Sequence, residues 1–271
     1  MSNIMTFRRS SAAARALEPP AASSTPAVLG EQLSRLYERV QGSPHVFASP
    51  AGPFDAHGPH HLPRFVYFGP EATDAALRLS FLAGLDHRDL RSTLALLRFV
   101  EGLAARPDLG QGLNLSFFPL LDVLGLAGAT PGRDLSRAHW ARSTAPEIAL
   151  LEKDARGRAY HGFVRIESAV GEDVVTIRLS AAEPLENLAP ALELISSEDL
   201  SPLDVRWESA ASAEFLSGPL SIADDLPIRP FELLVRIPAN WPLELYADAT
   251  ASILRRFVLR YCGFFSYAQH L

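Results

Sequence analysis

The chain has 271 residues, of which 48% are hydrophobic and 21% charged, and its formal net charge is −6. This composition is typical of a globular domain with one large core, and the acidic balance gives no reason to expect nucleic acid or an anionic membrane as a partner. The single cysteine, Cys262, excludes an intrachain disulfide and a metal site built from paired cysteines. No apolar run in the sequence is long enough to span a bilayer.

The first 29 residues are rich in Ala, Ser, Pro and Arg and are predicted to form a disordered tail. The pair Arg8-Arg9 is not followed by the apolar segment that an export signal needs. We therefore expect a cytoplasmic protein in which residues 30–271 form one domain, although the arginine-rich tail leaves targeting open.

Strand and helix patterns alternate along the rest of the chain. Helices are predicted, in chain order, at residues 30–42, 90–105, from 146 onward, 185–196 and 243–261. Strands are predicted at residues 64–69, 77–85, 113–121, 163–168, 174–180 and 230–238, and a loop rich in Gly, Pro and His at 43–63. This order predicts a three-layer α/β/α domain with a mixed, largely parallel twisted sheet, in which functional residues gather where strands end at their carboxyl edge.

Three segments stand in the order LAGLDHRDLRSTLAL (82–96), PLLDVLG (119–125) and GRDLSRAHW (132–140). They resemble motifs of the zinc metallocarboxypeptidases and of the related succinylglutamate desuccinylase and aspartoacylase group. Residues 82–96 resemble that family's (I/L)AG(I/L)HGDEPAGTLAL. Residues 119–125 resemble P-x-x-N-P-x-G, and residues 132–140 resemble G-x-D-L-N-R-x-x-W. The strands at 163–168 and 231–238 stand where the family has strands ending in Leu-His-Ser and Glu-Thr-Pro, so the resemblance covers roughly residues 64–271.

The resemblance implies a zinc site whose residues have been replaced. In the family, the His and Glu of H-x-x-E and a later His bind zinc, and the Glu before Thr-Pro is the general base. The corresponding metal positions hold Asp86, Asp89 and Glu167 in this chain, and the base position holds Arg236. Arg236 stays protonated at ordinary pH and cannot act as a base.

The charges at these positions lead to further expectations. Two Asp, one Glu and one Arg sum to −2, so converging carboxylates should raise at least one carboxyl pKa. We expect Arg236 to pair with Asp86, Asp89 or Glu167, because its planar guanidinium suits carboxylates. The three acids could bind Ca²⁺ or Mg²⁺ through oxygen but select zinc poorly, and no bound cofactor is expected.

The family's substrate-carboxylate site is partly kept. Arg137 matches the Arg of D-L-N-R, whereas the Asn before it becomes Ser136 and the Asn-Pro turn becomes Asp122-Val123. The resemblance therefore implies a cleft that binds a small carboxylate or a peptide C-terminus through Arg137 and Ser136. An ion pair of Arg137 with Asp134 or Glu147 is an equally good interpretation.

Several histidines and one acid offer alternatives. A one-residue shift of the alignment would make His87 the first metal ligand, at the cost of the second. His57, His60 and His61 could form a metal tract, although a solvated loop is the simpler interpretation. His161 is interpreted as a surface or partly buried residue. If residues 230–238 form a strand, Glu232 shares a face with Arg236 and could replace the lost base.

Two functions are compatible with these residues. The first is a non-catalytic homologue of zinc carboxypeptidases that keeps a carboxylate-binding cleft. The alternative is an active metal-dependent carboxypeptidase or amidohydrolase, similar to the desuccinylases, that uses oxygen ligands. The oligomeric state is not indicated by any pattern in the sequence.

Overall fold

The fold is taken from a computed structural model that describes residues 25–56, 58–73, 76–128, 135, 143–180, 203–209 and 230–269. The described helices are α1 (Thr25–Val40), α2 (Leu90–Ala105), α3 (Val123–Leu126), α4 (Pro146–Arg158) and α5 (Leu243–Gln269), with a 3-10 helix at Pro107–Gly110. The described strands are β1 (Val46–Ala48), β2 (Ala51–Asp55), β3 (Pro59–Leu62), β4 (Phe65–Phe68), β5 (Leu77–Leu82), β6 (Leu113–Phe118), β7 (Gly162–Ala169), β8 (Val175–Ser180), β9 (Val205–Ser209) and β10 (Phe231–Pro238).

Eight strands form one mixed sheet in the order β1-β4-β6-β5-β7-β10-β8-β9, and β2 and β3 form a separate hairpin. The four central strands β6, β5, β7 and β10 are parallel. Strand β4 is antiparallel to β6, and β8 is antiparallel to β10. The predicted mixed, largely parallel sheet is confirmed.

Helices cover both faces of the sheet, which explains why the central strands are largely buried on both sides. On one face, α2 and α5 pack on residues such as Val164 and Val235. On the other face, α4 packs through Leu151 against Phe163. The architecture is therefore the expected three-layer α/β/α arrangement.

The predicted strands and helices from residue 64 onward are found wherever the structure describes them, and α2 has the predicted bounds. The helix predicted at 185–196 lies outside the described residues. Helix α1 begins at Thr25, earlier than predicted, and buries Leu29. Residues 1–24 lie outside the described part of the chain.

The prediction of a loop at 43–63 is wrong. This segment contains β1, which pairs with β4 at the sheet edge, and the β2–β3 hairpin, which packs on α3 and α4. Gly and Pro disfavour strands locally, but pairing with a neighbouring strand and burial of Val46 and Leu62 outweigh that preference here. No helix in the described ranges combines the length and the apolar character needed to cross a membrane.

Candidate functional site

The carboxyl ends of β5, β6, β7 and β10 lie at one edge of the sheet, here called the carboxyl edge. The loop after β5 and the loop after β6 are joined there, because the N–H groups of Leu121 and Asp122 donate to the carbonyls of Ala83 and Gly84 at 3.2 and 2.8 Å. Gly84 has a φ of 59° and lies so close to Pro119 and Leu120 that a Cβ atom would be 2.9 Å from their backbones. Glycine is therefore required at this turn.

Asp86, at the position of the family's first zinc ligand, is bound by its own loop. The Nε and Nη2 atoms of Arg88 donate to its two carboxylate oxygens at 2.8 and 2.6 Å, and the backbone N–H of Arg88 donates at 2.9 Å. Partial burial works to raise the pKa of Asp86, but these hydrogen bonds and the charge of Arg88 outweigh it and lower the pKa. The expected rise in a carboxyl pKa is therefore wrong for Asp86.

Asp89, at the second ligand position, caps helix α2 and fastens it to β7. One carboxylate oxygen accepts from the N–H of Ser92 at 3.3 Å and from the Ser168 hydroxyl at 2.6 Å. The other accepts from the N–H of Ser168 at 2.8 Å. An Asp at this position satisfies a free amide at the helix start.

Glu167, at the third ligand position, pairs with Arg165, two residues earlier on the same face of β7. Arg165 is 3% exposed, and its Nη1 atom also donates to the buried Glu232 at 2.9 Å. Burial alone would lower the pKa of Arg165, but the charges of Glu167 and Glu232 raise it. Glu232 is thus paired with a buried guanidinium rather than placed as a base beside Arg236.

The expected ion pair between Arg236 and one of the three acids is wrong. The Nη1 atom of Arg236 lies 2.6 Å from Glu172, in the turn between β7 and β8, and Glu172 also accepts from the Thr176 hydroxyl at 2.9 Å. Thr176 is the register partner of Arg236 on β8. The guanidinium turns toward β8 because Arg165 already satisfies Glu167 on the β7 side.

Among the described residues, one group of three possible metal ligands converges, and it is Asp86, His87 and Asp122. Asp122 is completely buried and accepts from His87 Nδ1 at 2.7 Å and from the His87 backbone N–H at 3.1 Å. Its second oxygen caps α3 by accepting from the Gly125 N–H at 3.0 Å. From the sequence, His87 was a candidate ligand only if the alignment was shifted by one residue, and its contact with Asp122 was not predicted.

Ser136, Arg137 and Asp134, the predicted carboxylate-site residues, lie outside the described residues. Leu135, between them, is described and buried. Its N–H donates to the carbonyl of Leu85 at 2.9 Å. Leu135 therefore lies beside the loop that carries Asp86.

The other histidines that the structure describes do not lie in this group. His161 is 6% exposed rather than near the surface, and its Nδ1 accepts from the Arg78 N–H at 3.0 Å. Burial and the charge of Arg78 lower the pKa of His161 to about 4. His60 and His61 both lie on β3 of the hairpin. His57 lies outside the described residues.

Arg165 is the other residue that the motif comparison missed. A signal for it was present, since Arg165 and Glu167 alternate on one strand and Glu232 lies on the neighbouring strand. What the sequence did not reveal is the register of β7 and β10, which places the three side chains together.

The fold is that of known metallo-carboxypeptidases. A metallo-carboxypeptidase from Burkholderia cenocepacia matches with a TM-score of 0.66 and 14% identity, covering 86% of this chain and 69% of that one. One from Pseudomonas aeruginosa, solved in complex with (2-guanidinoethylmercapto)succinic acid, matches with a TM-score of 0.60 and 16% identity, covering 85% and 69%. An aspartoacylase family protein from Mesorhizobium loti matches with a TM-score of 0.52 and 13% identity, covering 78% and 67%. No protein-family model and no curated protein matches the sequence.

The residues at the family's metal positions do not fit a zinc ion. Zinc sites in proteins favour imidazole and thiolate ligands, whereas these positions hold Asp86, Asp89 and Glu167. Each of the three is held by a partner from this chain, namely Arg88, Ser168 and Arg165. No catalytic step through a zinc ion at these positions follows from this arrangement.

Proposed function

We propose that this protein is a non-catalytic relative of the zinc carboxypeptidases that binds a carboxylate and does not hydrolyse it. The observation that carries the proposal is that Asp86, Asp89, Glu167 and Arg236 are each engaged by a separate neighbour. The ancestral reaction needs a metal held by three converging ligands and a base that activates water. Here the acids face different partners, and the base position holds a guanidinium that pairs with Glu172.

A carboxylate site at Arg137 and Ser136 is the second part of the proposal. The hydrogen bond from Leu135 to Leu85 supports it, because Leu135, the sequence neighbour of Ser136, lies beside the loop after β5. An arginine can bind a carboxylate through two parallel hydrogen bonds. A small dicarboxylic acid or a peptide C-terminus is the ligand class proposed.

The catalytic part is tested with the purified full chain on C-terminal amino-acid and N-acyl amino-acid substrates, with and without added Zn²⁺. No turnover above that of the buffer is expected in either condition. Turnover that a chelator abolishes and Zn²⁺ restores would overturn the non-catalytic proposal. A metallo-carboxypeptidase assayed in parallel shows that the substrates are sound.

The binding part is tested by calorimetric titration with (2-guanidinoethylmercapto)succinic acid, the ligand of the Pseudomonas aeruginosa structure. We expect Arg137→Gln to weaken binding by on the order of tenfold or more, as removal of a charge-assisted hydrogen bond does. Arg236→Gln is the matched control, since it removes the same charge from an arginine that is paired with Glu172. Equal losses in both variants would show a general charge effect and contradict a specific site.

One observation favours a second function, a metal-dependent carboxypeptidase or amidohydrolase with mostly oxygen ligands. Asp86, His87 and Asp122 bring possible ligand atoms within 4.8 Å of one another. Under this function, His87→Gln would abolish a metal-dependent hydrolysis that the wild type displays. Under the non-catalytic proposal, there is no such hydrolysis to lose.

A further inference from the structure

His87 and Asp122 are a matched pair that the family pattern lacks. At these two positions the family motifs read Gly and Asn, whereas this chain has an imidazole and a carboxylate. The two positions lie in different loops, and the structure brings His87 Nδ1 to 2.7 Å from Asp122 Oδ2. Asp122 also accepts from the backbone N–H groups of His87 and Gly125, and the imidazole of His87 adds a side-chain contact that joins the β5 and β6 loops.

Asp86 completes a three-residue group with the spacing of a metal site. His87 Nδ1 lies 2.7 Å from Asp122 and 3.9 Å from Asp86 Oδ1. In a tetrahedral zinc site with ligands about 2.0–2.1 Å from the ion, neighbouring ligand atoms are roughly 3.3 Å apart. The two distances lie on either side of that value, and all three ligand atoms lie within 4.8 Å of one another. An ion would replace the hydrogen bond between His87 Nδ1 and Asp122 Oδ2.

The charges of the group also favour a divalent cation. Two carboxylates and a neutral imidazole sum to −2. Asp122 is completely buried, and in the described part of the chain its ion-pair partner is His87, with no Lys or Arg within 4.0 Å. The cation on Asp86 is Arg88, whose side chain is 66% exposed. The pair is bidentate, so an ion has to compete with Arg88 for Asp86, and the exposed guanidinium can move into solvent when the ion binds.

Gly125 keeps the space beside these ligands clear. A Cβ atom at this position would lie 2.2 Å from Asp122 Oδ2 and 2.4 Å from His87 Nδ1. Both ligand atoms therefore rest against the first turn of α3 only because residue 125 has no side chain. The nearby backbone is fixed by the hydrogen bonds between the β5 and β6 loops.

We propose that Asp86, His87 and Asp122 form a binding site for a first-row divalent metal ion such as Zn²⁺, with a ligand set that shares only Asp86 with the predicted family metal positions. One imidazole nitrogen with two carboxylate oxygens suits Zn²⁺ and offers too few oxygens for Ca²⁺, which takes six to eight. The ion would tie the β5 loop to the start of α3. This proposal concerns metal binding and not hydrolysis, so it does not depend on the proposed function.

The test is a titration of the chelator-treated full chain with Zn²⁺ by calorimetry, and with Co²⁺ by visible absorption. We expect one equivalent to bind, with a Co²⁺ spectrum typical of four-coordinate nitrogen and oxygen ligands. His87→Gln and Asp122→Asn should each weaken Zn²⁺ binding by on the order of 100-fold, because each removes a direct ligand, and loss of an outer-shell partner alone costs about 10–100-fold. Circular dichroism checks that both variants are folded. His87→Gln is expected to disturb the fold less than Asp122→Asn, because His87 is partly exposed and Asp122 is completely buried.

Two control variants separate this site from the other possible ligands. Glu167→Gln changes an acid at a family metal position, and His60→Ala combined with His61→Ala removes two residues of the histidine-rich hairpin. Both should leave Zn²⁺ binding unchanged. Absence of stoichiometric binding would overturn the proposal, and so would binding that survives His87→Gln or is lost in either control.

The same experiment keeps the two proposals separate. A protein that binds Zn²⁺ through His87 and hydrolyses nothing satisfies both of them. A Zn²⁺-loaded protein that cleaves C-terminal amino-acid or N-acyl substrates overturns the non-catalytic function and leaves the metal site standing.

Discussion

Two groups of charged residues at the carboxyl edge behave in opposite ways. The first group comprises the four predicted family positions, and each has its own partner. Asp86 pairs with Arg88, Asp89 with Ser168, Glu167 with Arg165 and Arg236 with Glu172. The neighbouring group of Asp86, His87 and Asp122 converges within 4.8 Å. The difference teaches that residues at ligand positions need not point at a common centre, because each takes the nearest partner that its own strand or loop supplies.

Arg165 is the residue on which the separation of the family positions depends most. Replacing it by Leu removes the buried cation from Glu167 and Glu232, and breaking a buried ion pair from one side costs about 3–5 kcal/mol. The measurement is urea unfolding of Arg165→Leu. The double variant with Glu232→Leu should recover much of the loss, because no buried carboxylate is then left without its cation. A loss no larger than that of Arg178→Leu, which breaks a half-exposed pair with Glu208, would contradict this role.

Gly125→Ala tests the converging group. The added methyl would press against Asp122 Oδ2 at 2.2 Å and His87 Nδ1 at 2.4 Å, and such overpacking costs about 1–3 kcal/mol. The matched control is Gly102→Ala on α2, where a Cβ atom would meet nothing within 4 Å. Alanine there should be neutral or stabilise the helix by about 0.5–1 kcal/mol. If the two variants changed the melting temperature equally, residue 125 would not be tightly packed against Asp122 and His87.

Asp89→Ala removes the cap of α2 and both hydrogen bonds to Ser168. Loss of a helix cap costs about 0.5–2 kcal/mol, and we expect the upper part of that range because Ser168 also loses its acceptor. Asp89→Asn is the control, since its amide oxygen can still cap the helix and accept from the Ser168 hydroxyl, while its NH2 group cannot accept from the Ser168 N–H. We expect a smaller loss for Asn than for Ala, and equal losses would contradict a role for the cap.

The motifs and the order of strands and helices were enough to predict the fold. The central strands have a continuous apolar face and α2 has a regular buried face, so their local patterns agree with their final environment. The segment 43–63 was not predictable in the same way. Its Gly and Pro residues indicate a loop, and its strands form only through pairing with β4 and packing on α3 and α4.

The sequence was enough to predict where these charged residues lie in the fold, but not which of them form ion pairs. The motif comparison placed Asp86, Asp89 and Glu167 at the carboxyl edge, because a motif reports where a residue lies along the chain. The choice of ion-pair partner depends on strand register and side-chain direction. These place Arg165, rather than Arg236, against Glu167. The His87–Asp122 contact joins two loops, so neither motif alone could indicate it.

Arg236→Gln is expected to have the smallest effect and is the sharpest test of where that side chain points. Its partner Glu172 is about a quarter exposed, as is Arg236 itself, and pairs of this kind contribute about 0–1 kcal/mol. Raising the salt concentration should reduce even this contribution. The measurement is urea unfolding at low and high salt. A loss of about 3 kcal/mol or more would mean that the guanidinium neutralises a buried acid, and the family positions would then converge in the way that their order in the sequence first indicated.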